Sequence, residues 1–182
     1  DSAPAVSFDC RDEIGAVVDR QKEEVGEEVG EVSVPDGLAD RLLALIGKST
    51  KDPELKAFLK EFKMETPRKI QDLSDLKCGF ALNVVSEQKL FVVKSVEFHV
   101  DGNETYSKAR STKVRFSGYP GPLPLGLSLA HNKTSLQEVL GPPGSDYGDQ
   151  VHWDLTDLPL TVSAFLDDDG ALRFVKFYQQ RT

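Results

Sequence analysis

Apolar residues recur at intervals of three and four along the first third of the chain, and at every second position beyond it. Ile14, Val17, Val18, Val25 and Val29, with Gln21 between them, form a narrow stripe that predicts a helix within residues 9–31. Acidic residues crowd its other faces. Gly26 and Gly30 weaken its end by about 1 kcal/mol each relative to Ala. A turn at Pro35-Asp36-Gly37 precedes a second apolar face made of Leu38, Leu42, Leu45 and Ile46, with Gly47 placed as its C-cap. A third helix opens at Asp52-Pro53. The aspartate is its N-cap, the proline its first helical residue, and Leu55, Phe58, Leu59 and Phe62 its buried stripe. Residues 63–77 read as connection.

From Cys78 the period shortens to two. FALNVVS (80–86) and KLFVVKSVEFH (89–99) are rich in β-branched and aromatic residues and predict a hairpin turning near Ser86-Glu87-Gln88. Lys94, Ser95, Glu97 and His99 interrupt its apolar run. Residues 101–113 are polar and predict a long loop. Leu125, Leu127 and Leu129 then alternate as in a short strand. Asn132 or Thr134 caps a helix anchored by Leu136, Val139 and Leu140, which Gly141 and Pro142-Pro143 terminate. VHWDL (151–155) is a candidate strand. LTVSAFL and ALRFVKFYQQ form a second hairpin, closed by Asp167-Asp168-Asp169-Gly170.

The two halves match in kind. Aligning Gly47 with Gly141 sets Leu42 against Leu136, Leu45 against Val139 and Ile46 against Leu140, and a hairpin follows in each half. The second half has no clear partner for the helix at 52–62. The expected fold is α+β: an antiparallel sheet built from two degenerate helix–hairpin repeats, with an acidic N-terminal helix alongside. Its segments are 1–36, 37–116 and 117–182.

The stretch LPLGLSLAHNKTSLQEVLGPPG (123–144), followed by HWDL and LTVSAFLDDDGALRFVKFY, resembles a pattern in small bacterial α+β proteins. It is similar to the helix-helix-sheet module of the outer-membrane assembly lipoprotein and β-lactamase-inhibitory-protein type, found in tandem in toxin–immunity loci. The resemblance spans residues 118–178 and, more faintly, 37–100. It implies a non-catalytic binder that docks a sheet or helical face on another protein. The acidic N-terminal helix has no counterpart there, and no functional residue carries over.

Charge narrows the partner. Thirty acidic against twenty-two basic residues give a net charge of -8 and a pI near 4.9. Such a chain repels polyanions, so nucleic acid is not an expected partner, whereas a basic protein surface is attracted. Lys108, Arg110, Lys113 and Arg115 form the one basic run, without the interleaved aromatics that stack on bases. No apolar run reaches the length of a membrane span. The expected contact residues are Glu23, Glu24, Glu27 and Glu28, with Asp167, Asp168 and Asp169.

Candidate chemistry is sparse. His99, His131 and His152 fit no metal-binding spacing, and the aspartate run at 167–169 lacks the alternating ligands and later glutamate of a calcium loop. No metal and no cofactor are expected. An enzyme would need a site assembled from dispersed residues such as Tyr147, His152 and Asp154. A third reading, suggested by the opening Asp1 without Met, is an accessory domain of a longer chain. Cys10 and Cys78 suit either two buried thiols or one bridge. Asn103-Glu-Thr and Asn132-Lys-Thr are formal glycosylation triplets, which leaves the compartment open.

Overall fold

A computed structural model describes residues 37–180. In chain order the elements are α1 (Leu38–Ala44), α2 (Pro53–Glu61), β1 (Gln71–Asp75), β2 (Phe80–Glu87) and β3 (Leu90–His99). Next come β4 (Glu104–Ser107), β5 (Thr112–Arg115), a 3-10 turn (Pro124–Gly126), α3 (Lys133–Leu140) and β6 (Ser145–Asp146). The last three are β7 (Gln150–Asp154), β8 (Leu160–Leu166) and β9 (Leu172–Gln179). Seven strands make one antiparallel sheet in the order β1-β2-β3-β9-β8-β7-β6, and β4 and β5 make a separate ribbon. The fold is α+β. No described helix is long and apolar enough to cross a membrane.

The helices form where capping and stripe coincide. Asp52 accepts a hydrogen bond from Glu54 N (3.0 Å), and Asn132 accepts one from Ser135 N (2.9 Å) while Ser135 returns the bond to Asn132 N. Leu38, Leu42, Leu55, Phe58, Leu59 and Leu136 pack on one face of the sheet, against Phe80, Leu82, Val96, Phe98, Val162 and Phe177. Arg41 grips Glu61 with both terminal nitrogens (2.5 and 3.3 Å), tying α1 to α2. Gly47 donates to Val93 O (2.8 Å), and residues 47–50 run along the end of β3 that β9 does not reach.

Several expectations are corrected. The connection at 63–77 contains β1, an edge strand in which only Leu73 is apolar. The loop at 101–113 is largely the β4–β5 ribbon. Its strands are polar because only Val114 and Ser107 turn inward. The hairpin turns at Gln88-Lys89, both at positive φ, rather than at 86–88. Leu125, Leu127 and Leu129 form no strand, because the prolines at 120, 122 and 124 favour a 3-10 turn with Leu125 at φ 63. Val139 is 44% exposed and anchors nothing, Asn132 rather than Thr134 is the cap, and α1 ends before Gly47. Buried Cys78 is disulfide-bonded, which sets aside a free thiol there; Cys10 and the helix expected at 9–31 lie outside the described residues.

Gly79 and Gly148 separate two costs of replacing glycine. Both have positive φ, but a Cβ on Gly79 would collide with the backbone of Ser117 and Tyr119, whereas Gly148 faces open space. Urea denaturation should show Gly148→Ala losing about 1 kcal/mol and Gly79→Ala at least about twice that.

Candidate functional site on the uncovered sheet face

Strand alternation sends the main apolar row to the helices and a mixed row, polar groups with Ala81, Phe165 and Phe174 among them, to the opposite face. Two rows cross the strands there. One runs Asp72, Asn83, Ser95, Tyr178, Thr161, Asp154; the next runs Ser74, Ala81, Glu97, Lys176, Ser163, His152. The β4–β5 ribbon and the residue after it cover one end, where Val114 and Phe116 meet Ala81 and Leu76. Among the described residues no helix covers the other end, at β7, β8 and β9.

Beneath the ribbon His99 is completely buried. Its ring stacks on Phe116 (3.7 Å between centroids) and on Phe174 (4.8 Å), which in turn stacks on Phe165 (4.1 Å). Arg173 donates to Asn103 Oδ1 (3.2 Å), so the Asn103 amide nitrogen faces His99 Nδ1 (2.9 Å) and the ring turns Nε2 toward Glu97 Oε1 (3.3 Å). That separation brings the groups into ion-pair range without the alignment of a good hydrogen bond. The other oxygen, Glu97 Oε2, accepts from Asn83, which also bonds Ser95 Oγ (2.9 Å). Burial by itself would raise the Glu97 carboxyl. His99 first, then Asn83 and Lys176, outweigh it and hold the group below its ordinary value.

At the open end, His152 Nδ1 lies 2.5 Å from Ser163 Oγ and 3.3 Å from the Tyr178 hydroxyl, and Tyr147 sets its ring edge-on to the histidine. Two of the three residues named for a dispersed enzyme site, His152 and Tyr147, are therefore neighbours. Asp154 is not joined to them; its carboxylate accepts from Thr161 (2.5 Å). Ser163 is wholly buried beneath its neighbours, a poor position for a nucleophile. A broader hollow of about 670 Å³ lies elsewhere, but it is lined only by residues within 65–71 and no second element faces it.

The acidic contact residues fare differently. Glu23, Glu24, Glu27 and Glu28 lie outside the described residues. Asp167 is occupied in the β8–β9 turn, where its Oδ1 accepts from Asp169 N and Ala171 N (both 2.9 Å), while Asp168 and Asp169 are exposed. Charge is also divided unevenly. Residues 1–36 hold eleven acidic and three basic residues, whereas residues 37–180 hold nineteen and eighteen and are close to neutral. Lys94, Lys176, Ser163 and Tyr178 are not among the contact residues expected from sequence. Their signal is the polar interruption of the apolar runs VVKSV, LTVSAFL and FVKFY.

No family model, curated protein or solved structure matches the chain.

A carboxyl held low stabilises the fold above its unfolded-state value, and that contribution is lost as pH falls through the lower folded value. Glu97→Gln should therefore cost about 1–3 kcal/mol near neutrality, and its difference from the parent should shrink below about pH 4.5. Denaturation at a series of pH values measures this directly. A difference that is flat or grows in acid would contradict the account.

Proposed function

We propose that the protein is a non-catalytic protein–protein interaction module, of inhibitor or immunity type, that docks on its partner through the uncovered sheet face. The supporting observation is the character of that face: shallow, rigidly hydrogen-bonded, and carrying exposed or half-buried aromatic rings at Tyr147, Tyr178 and Phe165 among polar groups. The excess acidity of residues 1–36 steers the approach of a basic partner surface, and contact follows on the nearly neutral fold. Asp168 and Asp169 add exposed negative charge at the β8–β9 turn.

The same reading treats the two halves as copies of one module. In its support, Ser95, Val96, Glu97, Phe98 and His99 align in order with Phe174, Val175, Lys176, Phe177 and Tyr178. These segments also pair antiparallel about a central Glu97–Lys176 pair, a register symmetric on itself. Asp52 caps α2 as Asn132 caps α3, and a strand lies on the outer side of each hairpin: β1 directly after α2, and β7 after the two-residue β6 that follows α3. This supports aligning α3 with α2 rather than with residues 38–47, so the counterpart lacking in the second half is α1.

Partner capture by the immobilised full chain, followed by kinetic measurement, tests the docking reading. Tyr147→Ala and Tyr178→Ala should each weaken the complex about tenfold or more, chiefly through faster dissociation. Charge reversal at Glu23, Glu24, Glu27 and Glu28 should slow association at low salt and matter little at high salt. If both sets leave affinity and rates unchanged, the face is not the docking surface.

A further inference from the structure

We propose that the hollow beside Lys176 is a subsite for an acidic side chain of the partner protein, a glutamate by preference; this rests on the docking reading above. The hollow has a volume of about 310 Å³ and draws its lining from five strands, including Lys94 and Ser95 on β3, Lys176 and Tyr178 on β9, and Ser163 and Phe165 on β8. It is therefore built by the whole sheet rather than by one loop.

The charges around it are unequally committed. Lys94 is spoken for by Glu87 (2.5 Å) and by Gln179 Oε1 (3.2 Å). Glu97, across from Lys176 on β3, is engaged by Asn83 and His99 on the ribbon side, and Lys176 acts on it only through charge. Among the described residues Lys176 has no carboxylate within ion-pair distance. Lys176 lines the hollow together with Tyr178 and His152, whose hydroxyl and Nδ1 lie 3.3 Å apart.

Those features select the occupant. A cationic side chain is repelled by Lys94 and Lys176. A neutral one accepts a hydrogen bond from the ammonium but lacks the ion-pair attraction. A phosphate dianion is best matched by an arginine fork or paired cations, and the hollow offers one uncommitted lysine. A monoanionic carboxylate fits that single charge, and Phe165 and Val85 give its methylene stem an apolar wall. The hollow opens onto the broad sheet face and encloses so little of a free small acid that one binds only weakly, at roughly millimolar concentration. The carboxylate is therefore delivered on a protein surface that covers the rest of the face.

The test uses isotopically labelled full-length protein titrated with the peptide acetyl-Gly-Glu-Gly-amide, followed by NMR. Acetyl-Gly-Gln-Gly-amide and inorganic phosphate are the comparison probes. The expected result is saturable shifts at His152, Ser163 and Tyr178 with the glutamate peptide alone. Lys176→Met should weaken binding at least about fivefold while the amide spectrum keeps its folded dispersion, and Lys176→Arg should restore it. Equal shifts with the glutamine peptide, phosphate binding as tight as the glutamate peptide, or an unaffected Lys176→Met variant would overturn the assignment. Loss of peptide binding with partner capture intact removes the subsite alone; loss of capture with peptide binding intact removes the docking reading alone.

Discussion

The pairing of β3 with β9 is the contact on which the architecture depends. Ser95–His99 and Phe174–Tyr178 stand far apart in the chain, yet their ladder is what turns two sets of strands into one sheet. On the helix side it brings Val96 and Phe98 against Val175 and Phe177 in the middle of the core. On the other side it sets Glu97 beside Lys176 and His99 beside Phe174. Because strand side chains alternate, a slip of one residue would send the core valines and phenylalanines into solvent and the charged residues into the core. The ladder therefore fixes the register of both faces at once.

The two faces solve different problems. Under the helices, aromatic and aliphatic groups fill space, with Phe58, Phe62 and Phe80 meeting edge and face. Beneath the ribbon a polar group is buried, and its partners must be supplied one by one: Asn103 and Glu97 for the His99 nitrogens, Arg173 for Asn103, Asn83 for Glu97. The same network commits Asn103, the asparagine of one glycosylation triplet, and buries it. Asn132 of the other triplet stays exposed while it caps α3.

The sequence made some of this legible and hid the rest for physical reasons. α2 and α3 were readable because cap, stripe and stop lie within a dozen residues of one another. The two main hairpins were readable from their β-branched runs. β1, β4 and β5 were missed because an edge strand and a covering ribbon need few apolar residues, and QDLSD, ETYS and TKVR carry almost none. The uncovered face was half visible: the interruptions at Lys94, Ser95, Glu97 and His99 were plain, but their assembly with Lys176, Ser163 and Tyr178 depends on a long-range ladder that no local pattern encodes. The net charge suggested an acidic molecule, whereas the acidity belongs almost entirely to residues 1–36.

Trp153, the chain's single tryptophan, lies buried on β7 and donates its indole N–H to the carbonyl of Gly141 (2.9 Å), the residue that stops α3. The molecule thus carries one indole, excitable at wavelengths its four tyrosines do not absorb, at the seam between the last helix and the sheet. Its emission colour and quenching report on that seam alone, so unfastening of α3 can be followed optically without attaching a label.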